Sequence, residues 1–482
     1  MSWHDSYCQH VLWPDYRFAS QHLAEHFLDA MTAHVRTVAR LPDRVVQTHQ
    51  REIEGLEHAL IALHDTPLPS YNADVPDLYF MFNRKLEAEV GEQAVGFLRL
   101  GLSRNDLDMT VYKMRARRFL LQLAASLLDL RSAVLQQAEA HVETILVAYT
   151  HHQPGQPTTV AHYLAAVDNT LSREFERMTE AYRRLNRCPL GAAALAGSSH
   201  PLDRSYTAQQ LGFDGPVDNT YDAVASSDWQ VELVGVAQNG ALGLSRFVCD
   251  LIQWSSQGLF ALPDSLVQGS SIMPQKRNPV ALEHARTKLS RAVGSAQSIL
   301  YSSHNIPYGD LNDFGPDIQG AFQALSVQLG GGLALLNACV GEGTFVRDTL
   351  EAMARATDTT ATELADELVR QAGLSFPQAH KLSAALVEKM TNEGRRLQDA
   401  TPADMLVLGG PQLSDAVLKE ALEPHAFVRR RRGLGGPAPE VVSEHLVAAR
   451  ERLEHSRGWL EHQQHHLTRA QTQLRTPRKD LV

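Results

Sequence analysis

The chain has 482 residues, of which 44% are hydrophobic and 21% charged, a balance that is typical of globular proteins and excludes a disordered or fibrous chain. Its formal net charge of -10 argues against a general nucleic-acid binder. We expect no membrane span, because no apolar run approaches about 18–20 residues. The first ten residues lack the basic and apolar segments of a secretory signal.

Cysteine usage points to a reducing compartment. The four cysteines are scattered along the chain without a CxxC pair: Cys8, Cys188, Cys249 and Cys339. This distribution is typical of cytosolic proteins and lacks zinc-ligand spacing. We therefore expect a cytoplasmic protein that needs no metal and no cofactor.

Helical periodicity dominates the chain, and the class predicted is all-α. Residues 1–100 form shorter helical pieces separated by prolines and make up an N-terminal domain. Residues 101–345 form a central bundle, because residues 111–148, 163–186 and 281–301 are long, free of proline and rich in apolar side chains. Residues 346–482 return to shorter helices in a C-terminal domain. The wide apolar seams of the central helices suit oligomerisation.

A first polar island interrupts the helical region at residues 101–106. Arg104 offers a guanidinium that can hold a carboxylate through two parallel hydrogen bonds, with Ser103 and Asn105 as flanking donors. The same residues also fit an ordinary helix N-cap made by Ser103 or Asp106. Both interpretations stay open.

A second island covers residues 150–157, where two prolines and a glycine predict a loop. Thr150, His151 and Gln153 lie in this segment, and a histidine can titrate near neutral pH. The plainer alternative is a solvated loop histidine.

The third island, residues 268–283, carries two hydroxyls, a lysine, an asparagine and a carboxylate. Gly269 and Pro274 predict a loop that can move and that bears Ser270. Asn278 and Pro279 predict the N-cap and first position of a helix. A hydroxyl and a cation beside a helix N-terminus suit anion binding and proton transfer, although a capped helix after a polar loop is the alternative. Together the three islands supply a proton-abstraction set for a carboxylate substrate.

The third island also carries a family resemblance. Residues 269–279, GSSIMPQKRNP, resemble the GSSxMPxKxNP signature of the aspartase/fumarase superfamily. Residues 103–106, SRND, and residues 150–157, THHQPGQP, are similar to motifs of its argininosuccinate lyase branch. Further matches in the expected order extend the resemblance from about residue 97 to about residue 445.

The resemblance implies an all-helical homotetramer with a long central bundle, whose active sites form where three subunits meet. Members cleave a C–N or C–O bond by anti-elimination and release fumarate. It gives Ser270 the role of the base that removes the Cβ proton, and it pairs Glu283 with His151. Lys276 would stabilise the intermediate together with Asn278. The remaining substrate contacts that it implies are Ser103, Arg104, Asn105, Thr150, Gln153 and Tyr308.

The chain departs from the family pattern at the leaving-group end of the site. Where the family has HTGRSRNDQ, leucines occupy three positions: Leu100, Leu102 and Leu107. The segment that begins at Tyr308 is one residue shorter than its family counterpart and lacks the lysine. We therefore expect a carbon–nitrogen lyase that converts an N-substituted aspartate to fumarate and an amine, in either direction. The alternatives are argininosuccinate lyase proper and a non-catalytic, crystallin-like structural protein.

Three other features receive structural interpretations. Residues 429–432, four consecutive arginines, predict a solvated or tetramer-facing basic turn rather than a nucleic-acid patch. His462, His465 and His466 predict a solvated helix rather than a metal site. Gly330–Gly332 predict a kink or a close helix contact, because the lysine and hydroxyl of a phosphate-binding loop are missing.

Overall fold

The computed structural model describes residues 3–478 and confirms the predicted all-α class. Its strands are confined to three two-stranded antiparallel ribbons. The N-terminal part contains seven short α-helices: α1 (Asp5–Tyr7), α2 (Trp13–His22), α3 (Ala24–Val38), α4 (Arg44–Thr48), α5 (Gln50–Ala62), α6 (Leu78–Val90) and α7 (Glu92–Leu98).

Long helices form the middle of the chain. Its helices are α8 (Arg104–Ala140), α9 (Val160–Leu185), α10 (Arg204–Gln210), α11 (Thr220–Ala225), α12 (Asp228–Ser256), α13 (Val280–Ser302) and α14 (Gln319–Glu342). Its strands are β1 (Ile145–Thr150), β2 (Gln153–Thr159), β3 (Phe260–Ala261), β4 (Gln268–Gly269), β5 (Arg277–Asn278) and β6 (Thr344–Phe345). The predicted helices at 163–186 and 281–301 are confirmed as α9 and α13.

The third predicted long helix ends earlier than expected. Residues 111–148 were expected to be helical, but α8 ends at Ala140 and residues 145–148 belong to β1. The strand then turns back and pairs with β2, so the segment predicted as a loop at residues 150–157 is a β-hairpin. Pro154 and Pro157 fit because a two-stranded ribbon has only edge strands, where a missing N–H is tolerated.

Glycines let α13 and α14 approach closely. A Cβ on Gly332 would lie 3.1 Å from a Leu289 methyl group, and one on Gly331 would lie 3.3 Å from the Lys288 side chain. Helix α14 runs unbroken through all three glycines. The predicted close helix contact is therefore confirmed, while the alternative of a kink stays a prediction.

The C-terminal part consists of α15 (Arg347–Ala356), α16 (Ala361–Ala372), α17 (Phe376–Asn392), α18 (Pro402–Val407), α19 (Asp415–Ala421), α20 (Pro424–Arg429) and α21 (Pro439–Leu474). Helices α16 to α19 enclose a small hydrophobic core of their own. Helix α21 instead shares the large core of the long helices with the N-terminal helices. The domain division at residues 100 and 345 stays a prediction.

The C-terminal histidines are exposed, whereas the arginine run is partly paired. His462, His465 and His466 lie exposed on α21, as expected. The four arginines at 429–432 are not simply a solvated turn, since Arg430 and Arg431 form ion pairs with the buried carboxylate of Glu363. All four cysteines are free.

Two segments are long and apolar enough to cross a membrane by length and composition: Arg104–Ala140 and Asn312–Glu342. The apolar window of the first is 61% buried inside the subunit, as expected for the core helix of a bundle. The corresponding window of the second is only 39% buried. Helix α14 therefore presents an apolar face outward.

Candidate active site

The first polar island begins α8. Ser103 is the N-cap of α8 and forms a capping box with Asp106, whose Oδ1 accepts the Ser103 N–H at 3.0 Å. The other oxygen of Asp106 accepts the N–H groups of Gly191 and Ala193 at 2.8 and 3.0 Å. Burial raises the pKa of Asp106 to about 7, against the lowering effect of these N–H donors. The N-cap interpretation is therefore confirmed, and the cap also ties the island to the loop at 187–197.

Arg104 is held by two carboxylates of the same subunit. Its Nε and Nη2 donate to Asp108 at 3.1 and 2.8 Å, one helical turn further along α8, and its Nη1 donates to Asp77. Burial raises the pKa of Asp108 to about 6, although Arg104 lowers it. Each of the three guanidinium nitrogens thus donates to a carboxylate. Binding of substrate by Arg104 stays a prediction, and it would require sharing these donors.

Tyr308 contacts α11, a helix that packs against α8. Its hydroxyl donates to Asp222 at 2.9 Å, and this bond raises the pKa of Tyr308 to about 12. The Tyr221 ring stacks on the Tyr308 ring at 5.9 Å between centroids, and its hydroxyl donates to the Tyr308 carbonyl at 3.0 Å. The exposed Tyr308 ring is thus oriented by α11.

The second island is the turn of the β1–β2 hairpin. Thr150 and Gln153 pair across the turn, and His151 and His152 form its two central residues. Both histidines have positive φ, at 52° and 61°, as a type I′ turn requires. Such a backbone is unfavourable for non-glycine residues, and strain of this kind clusters at functional sites. The turn presents the His151 imidazole to solvent at the tip of the hairpin.

The third island is an exposed loop closed at its base by the β4–β5 ribbon. Gln268 pairs with Asn278 and Gly269 with Arg277, so Ser270 and Lys276 stand at the two ends of the loop. The Ser270 Oγ accepts the N–H groups of Ile272 and Met273 at 3.3 and 3.1 Å. These bonds fix the hydroxyl of Ser270 on the inner side of the turn.

Helix α13 starts one residue later than predicted. Asn278 is the last residue of β5, and Pro279 is the N-cap of α13, without a side-chain hydrogen bond. Glu283 lies exposed in the first turn of the helix. Within residues 3–478 no hydrogen bond or ion pair joins Glu283 to His151.

The islands lie at opposite ends of the long helices. Helix α8 separates the first island from the hairpin by about 50 Å, at 1.5 Å per residue. The Ser270 loop lies at the hairpin end, because β3 pairs with β6, and Phe345 of β6 contacts the His141 ring at the C-terminus of α8. One subunit therefore does not bring Ser103, Arg104 and Tyr308 together with Ser270.

Sequence reasoning missed the carboxylates around the first island. Asp108 could have been found from its i+4 spacing to Arg104 on a helix. Asp77 carries a weaker signal, since it follows Pro76 and caps α6 through the Phe80 N–H. Its contact with Arg104 depends on tertiary packing, and no local pattern predicts it.

The chain resembles known lyases over nearly its whole length. Residues 30–294 match the family described as Lyase, and residues 358–429 match Argininosuccinate lyase C-terminal. Argininosuccinate lyase 2 of Agrobacterium fabrum is 34% identical over 455 residues, covering 93% of this chain and 90% of that protein. The argininosuccinate lyase of Methanoculleus marisnigri is 34% identical over 459 residues, covering 91% and 92%.

Solved structures show the same relationship. EDDS lyase in complex with formate has a TM-score of 0.85 at 27% identity, covering 100% of this chain and 98% of that chain. An EDDS lyase variant with bound fumarate has the same TM-score at 28% identity and the same coverage. Class II fumarase from Schistosoma mansoni shares the fold, with a TM-score of 0.68 at 18% identity over 84% of this chain and 90% of that chain.

Proposed function

Because this chain belongs to the argininosuccinate lyase family of the aspartase/fumarase superfamily, we propose that it is a carbon–nitrogen lyase that eliminates an amine from an N-substituted aspartate and releases fumarate. The observation that carries the proposal is the loop from Ser270 to Asn278. It presents a hydroxyl, an ammonium and an amide from one exposed turn. Those groups are what removal of a proton next to a carboxylate requires.

Ser270 is the base in this proposal. As an alkoxide it takes the Cβ proton of the aspartate moiety, and the electron pair of that C–H bond forms the aci-carboxylate. Serine is a poor base in water, so the loop must close over the substrate and exclude solvent. Exposure of the loop in the isolated subunit is compatible with such a closing movement.

Lys276 and Asn278 stabilise the charge that develops on the substrate carboxylate. Loss of a Cβ proton beside a carboxylate creates a dianion, and fixed donors must already be in place. Both side chains stand at the end of the loop opposite Ser270, across the β4–β5 ribbon. They can therefore hold the carboxylate while Ser270 takes the neighbouring proton.

His151 supplies the proton that the leaving nitrogen needs when the C–N bond breaks. Glu283 pairs with His151 of another subunit and orients the imidazole, while Thr150 and Gln153 contact the succinyl part. Support comes from the placement of both residues, since each is exposed and available for a contact between subunits.

The active unit is a homotetramer in which three subunits contribute to each site. Support comes first from the separation of about 50 Å along α8 between the first island and the hairpin. It comes second from the outward apolar face of the bundle, where Leu242 of α12 is 50% and Val327 of α14 is 52% exposed. Large exposed apolar surfaces mark sites of association.

The leaving amine differs from arginine in this proposal. Leu100, Leu102 and Leu107 replace polar residues of the family motif, and Arg104 already donates to Asp77 and Asp108. A site that loses hydrogen-bonding partners discriminates strongly against the ligand that needs them. The reaction runs in either direction, and we place the enzyme in the cytoplasm on the basis of its dispersed free cysteines.

Steady-state assays that follow fumarate absorbance test the proposal. N-substituted aspartates, argininosuccinate among them, and amine-plus-fumarate mixtures are the substrates, with Ser270→Ala as the inactive variant. We expect a loss of about 1000-fold or more in kcat/KM for this variant. Ser271→Ala is the matched control, because Ser271 is exposed on the same loop, and its turnover should stay near that of wild type.

Two outcomes would contradict the proposal. Undiminished turnover by Ser270→Ala would remove Ser270 from the role of base. A kcat/KM for argininosuccinate far above those of all other N-substituted aspartates would restore arginine as the leaving group, as the names of the 34%-identical relatives suggest.

A further inference from the structure

We propose that the cavity between α2, α3, α8 and the start of α14 is a binding site for a small oxyanion, a carboxylate or a phosphate, separate from the active site. The cavity has a volume of about 500 Å³, which is within the range of small-molecule sites. Its wall includes His22, His26, Arg115, Arg118 and Gln122. The proposal does not depend on the lyase reaction.

Arg115 is the central group of this cavity. Its side chain is buried, at 8% exposure, and no carboxylate of residues 3–478 forms an ion pair with it. Its two terminal nitrogens donate to the amide oxygens of Gln319 and Gln323 at 2.9 and 2.5 Å. The rings of Phe18 and Phe322 lie 5.0 and 5.3 Å from the guanidinium carbon. A buried charge without a countercharge is costly, and an anion in the cavity would offset that cost.

Burial also changes the pKa of the Arg115 guanidinium. Loss of hydration lowers its pKa to about 10, which still leaves it charged at neutral pH. The five N–H donors of a guanidinium match the two oxygens of a carboxylate or phosphate. Two glutamine oxygens occupy part of this donor set, and the remaining donors can serve a ligand.

Arg118 adds a second cation one turn away on the same helix wall. Its nearest carboxylate, Glu25, lies 3.8 Å away, and Arg475 takes the same Glu25 oxygen at 3.2 Å. Glu25 also lines the cavity and is shared between two arginines. Arg115 and Arg118 together with this one carboxylate leave the wall with a net positive charge.

His26 is a neutral, buried residue of the cavity wall. It is buried at 4% exposure, and its Nδ1 has no hydrogen-bond partner within residues 3–478. Burial lowers the pKa of His26 to about 3, and Arg118 is the next largest cause, so the ring is a neutral donor or acceptor. His26 therefore adds no charge to the cavity wall.

The cavity is distinct from the proposed active site. Arg115 and Arg118 lie about 16 and 21 Å along α8 from Arg104, at 1.5 Å per residue. None of the residues in the three polar islands lines this cavity. Occupancy can therefore be measured on the whole protein without turnover.

Calorimetric titration at constant ionic strength tests the proposal on the full-length protein. Inorganic phosphate and succinate are the two probes, and they distinguish a phosphate site from a carboxylate site. We expect saturable binding that weakens at least about tenfold in Arg115→Met, a change of about 1.4 kcal/mol. Any binding of succinate at the active site remains in this variant and is subtracted.

A second measurement covers the case in which Arg115→Met fails to fold. Arg118→Gln changes a side chain that is 44% exposed, so we expect a folded protein with anion binding weakened several-fold. Arg173→Gln on the exposed face of α9 is the matched control and should bind like wild type.

The proposal fails if neither probe binds saturably up to about 20 mM, which would indicate a solvent-filled cavity. It also fails if binding is equal in wild type, Arg115→Met and Arg118→Gln. Equal binding in all three would place the anions at another site.

Discussion

Asp106 shows how one buried side chain positions a polar island. Its two oxygens accept N–H groups from Ser103, Gly191 and Ala193. Asp106 therefore joins the first island, where α8 begins, to the distant loop at 187–197. We expect Asp106→Asn to lower the free energy of unfolding by about 2–3 kcal/mol. In this variant an NH2 group replaces one accepting oxygen and faces a backbone N–H donor.

Chemical denaturation measures this effect, with Asp348→Asn as control, because Asp348 is exposed. The control should change stability by less than about 0.5 kcal/mol. If the two variants were equally stable, the three N–H contacts of Asp106 would contribute nothing.

The turn residue His152 carries a backbone conformation that glycine adopts without strain. Its φ is 61°, and the preceding His151 also has a positive φ. We expect His152→Gly to raise the free energy of unfolding by about 0.5–1 kcal/mol, because it relieves strain in the turn.

The control lies in the same hairpin. Gln156→Gly places glycine in the extended strand β2, where glycine has no such advantage, and it removes a hydrogen bond to Thr362. The two substitutions should therefore have opposite signs in thermal unfolding. Destabilisation by His152→Gly would show that the histidine side chain contributes more than the strain costs.

The sequence predicted the helix cap of Ser103 but not the partners of Arg104. The cap depends on residues within one turn, which a local pattern contains. Asp77 reaches Arg104 only after α6 has packed against the N-terminus of α8. Local patterns therefore do not reveal how available Arg104 is for a substrate. The sequence predicts a free guanidinium, and the structure shows one that donates to two carboxylates.

At the scale of elements, periodicity identified α9 and α13 and missed the β1–β2 hairpin. Apolar side chains at spacings of three and four specify a buried helix face over many residues. The hairpin offers no comparable pattern, because its two central residues are histidines and its second strand contains Pro154 and Pro157. Its inner residues Ile145 and Val147 instead pack against Phe427 of α20, a long-range contact.

The link between α16 and α20 depends on one charged cluster. Glu363 is buried and accepts hydrogen bonds from Arg430 and Arg431 at 2.9 and 2.7 Å, as well as from Arg370. Burial alone would raise the pKa of Glu363, but these arginines bring it below its ordinary value of 4.5. The folded-state pKa thus lies below the unfolded one. The stabilisation is present above about pH 4.5 and is lost as pH falls through the folded-state pKa.

We expect Glu363→Gln to cost about 2 kcal/mol at pH 7, since it leaves three arginines short of a partner. The penalty should shrink as pH falls below about 4.5. Urea denaturation across pH measures both effects, with the exposed Glu388→Gln as control. A penalty that stays constant from pH 7 to about pH 3 would contradict the ion-pair explanation.

At the scale of the whole molecule, the outward apolar face of the bundle is the surface that the proposed homotetramer would bury. Leu242 and Val327 belong to helices whose inner faces fill the large core, so their outer faces are free for a partner subunit. We expect Leu242→Asp to dissociate the oligomer and to lower activity by about 100-fold or more, because a charge on this face would be buried without a partner.

Light scattering after size exclusion measures the assembly, and Val407→Asp is the control. Val407 is 77% exposed on α18, away from the long helices. The control should keep both the assembly and the activity of wild type. An unchanged assembly in Leu242→Asp would place the interface on another face.

The separation of the islands makes a further prediction about mixed assemblies. If Ser270 and Asn105 reach a site from different subunits, a random mixture of Ser270→Ala and Asn105→Ala chains contains some sites with both native residues. With equal amounts, half of the chains supply a native Ser270 and the other half a native Asn105. A site that takes these residues from two different chains therefore has both native residues in about a quarter of cases. Refolding the two inactive variants together should then restore activity that neither has alone.

The matched control uses two residues of one loop. Ser270 and Lys276 come to any site from the same chain, since the β4–β5 ribbon closes the loop that joins them. A mixture of Ser270→Ala and Lys276→Ala chains should therefore stay inactive at every ratio. Recovery in this control, or no recovery with Asn105→Ala, would contradict a site shared between subunits. Because folding of the single variants is checked beforehand, the comparison depends only on which chain supplies each residue.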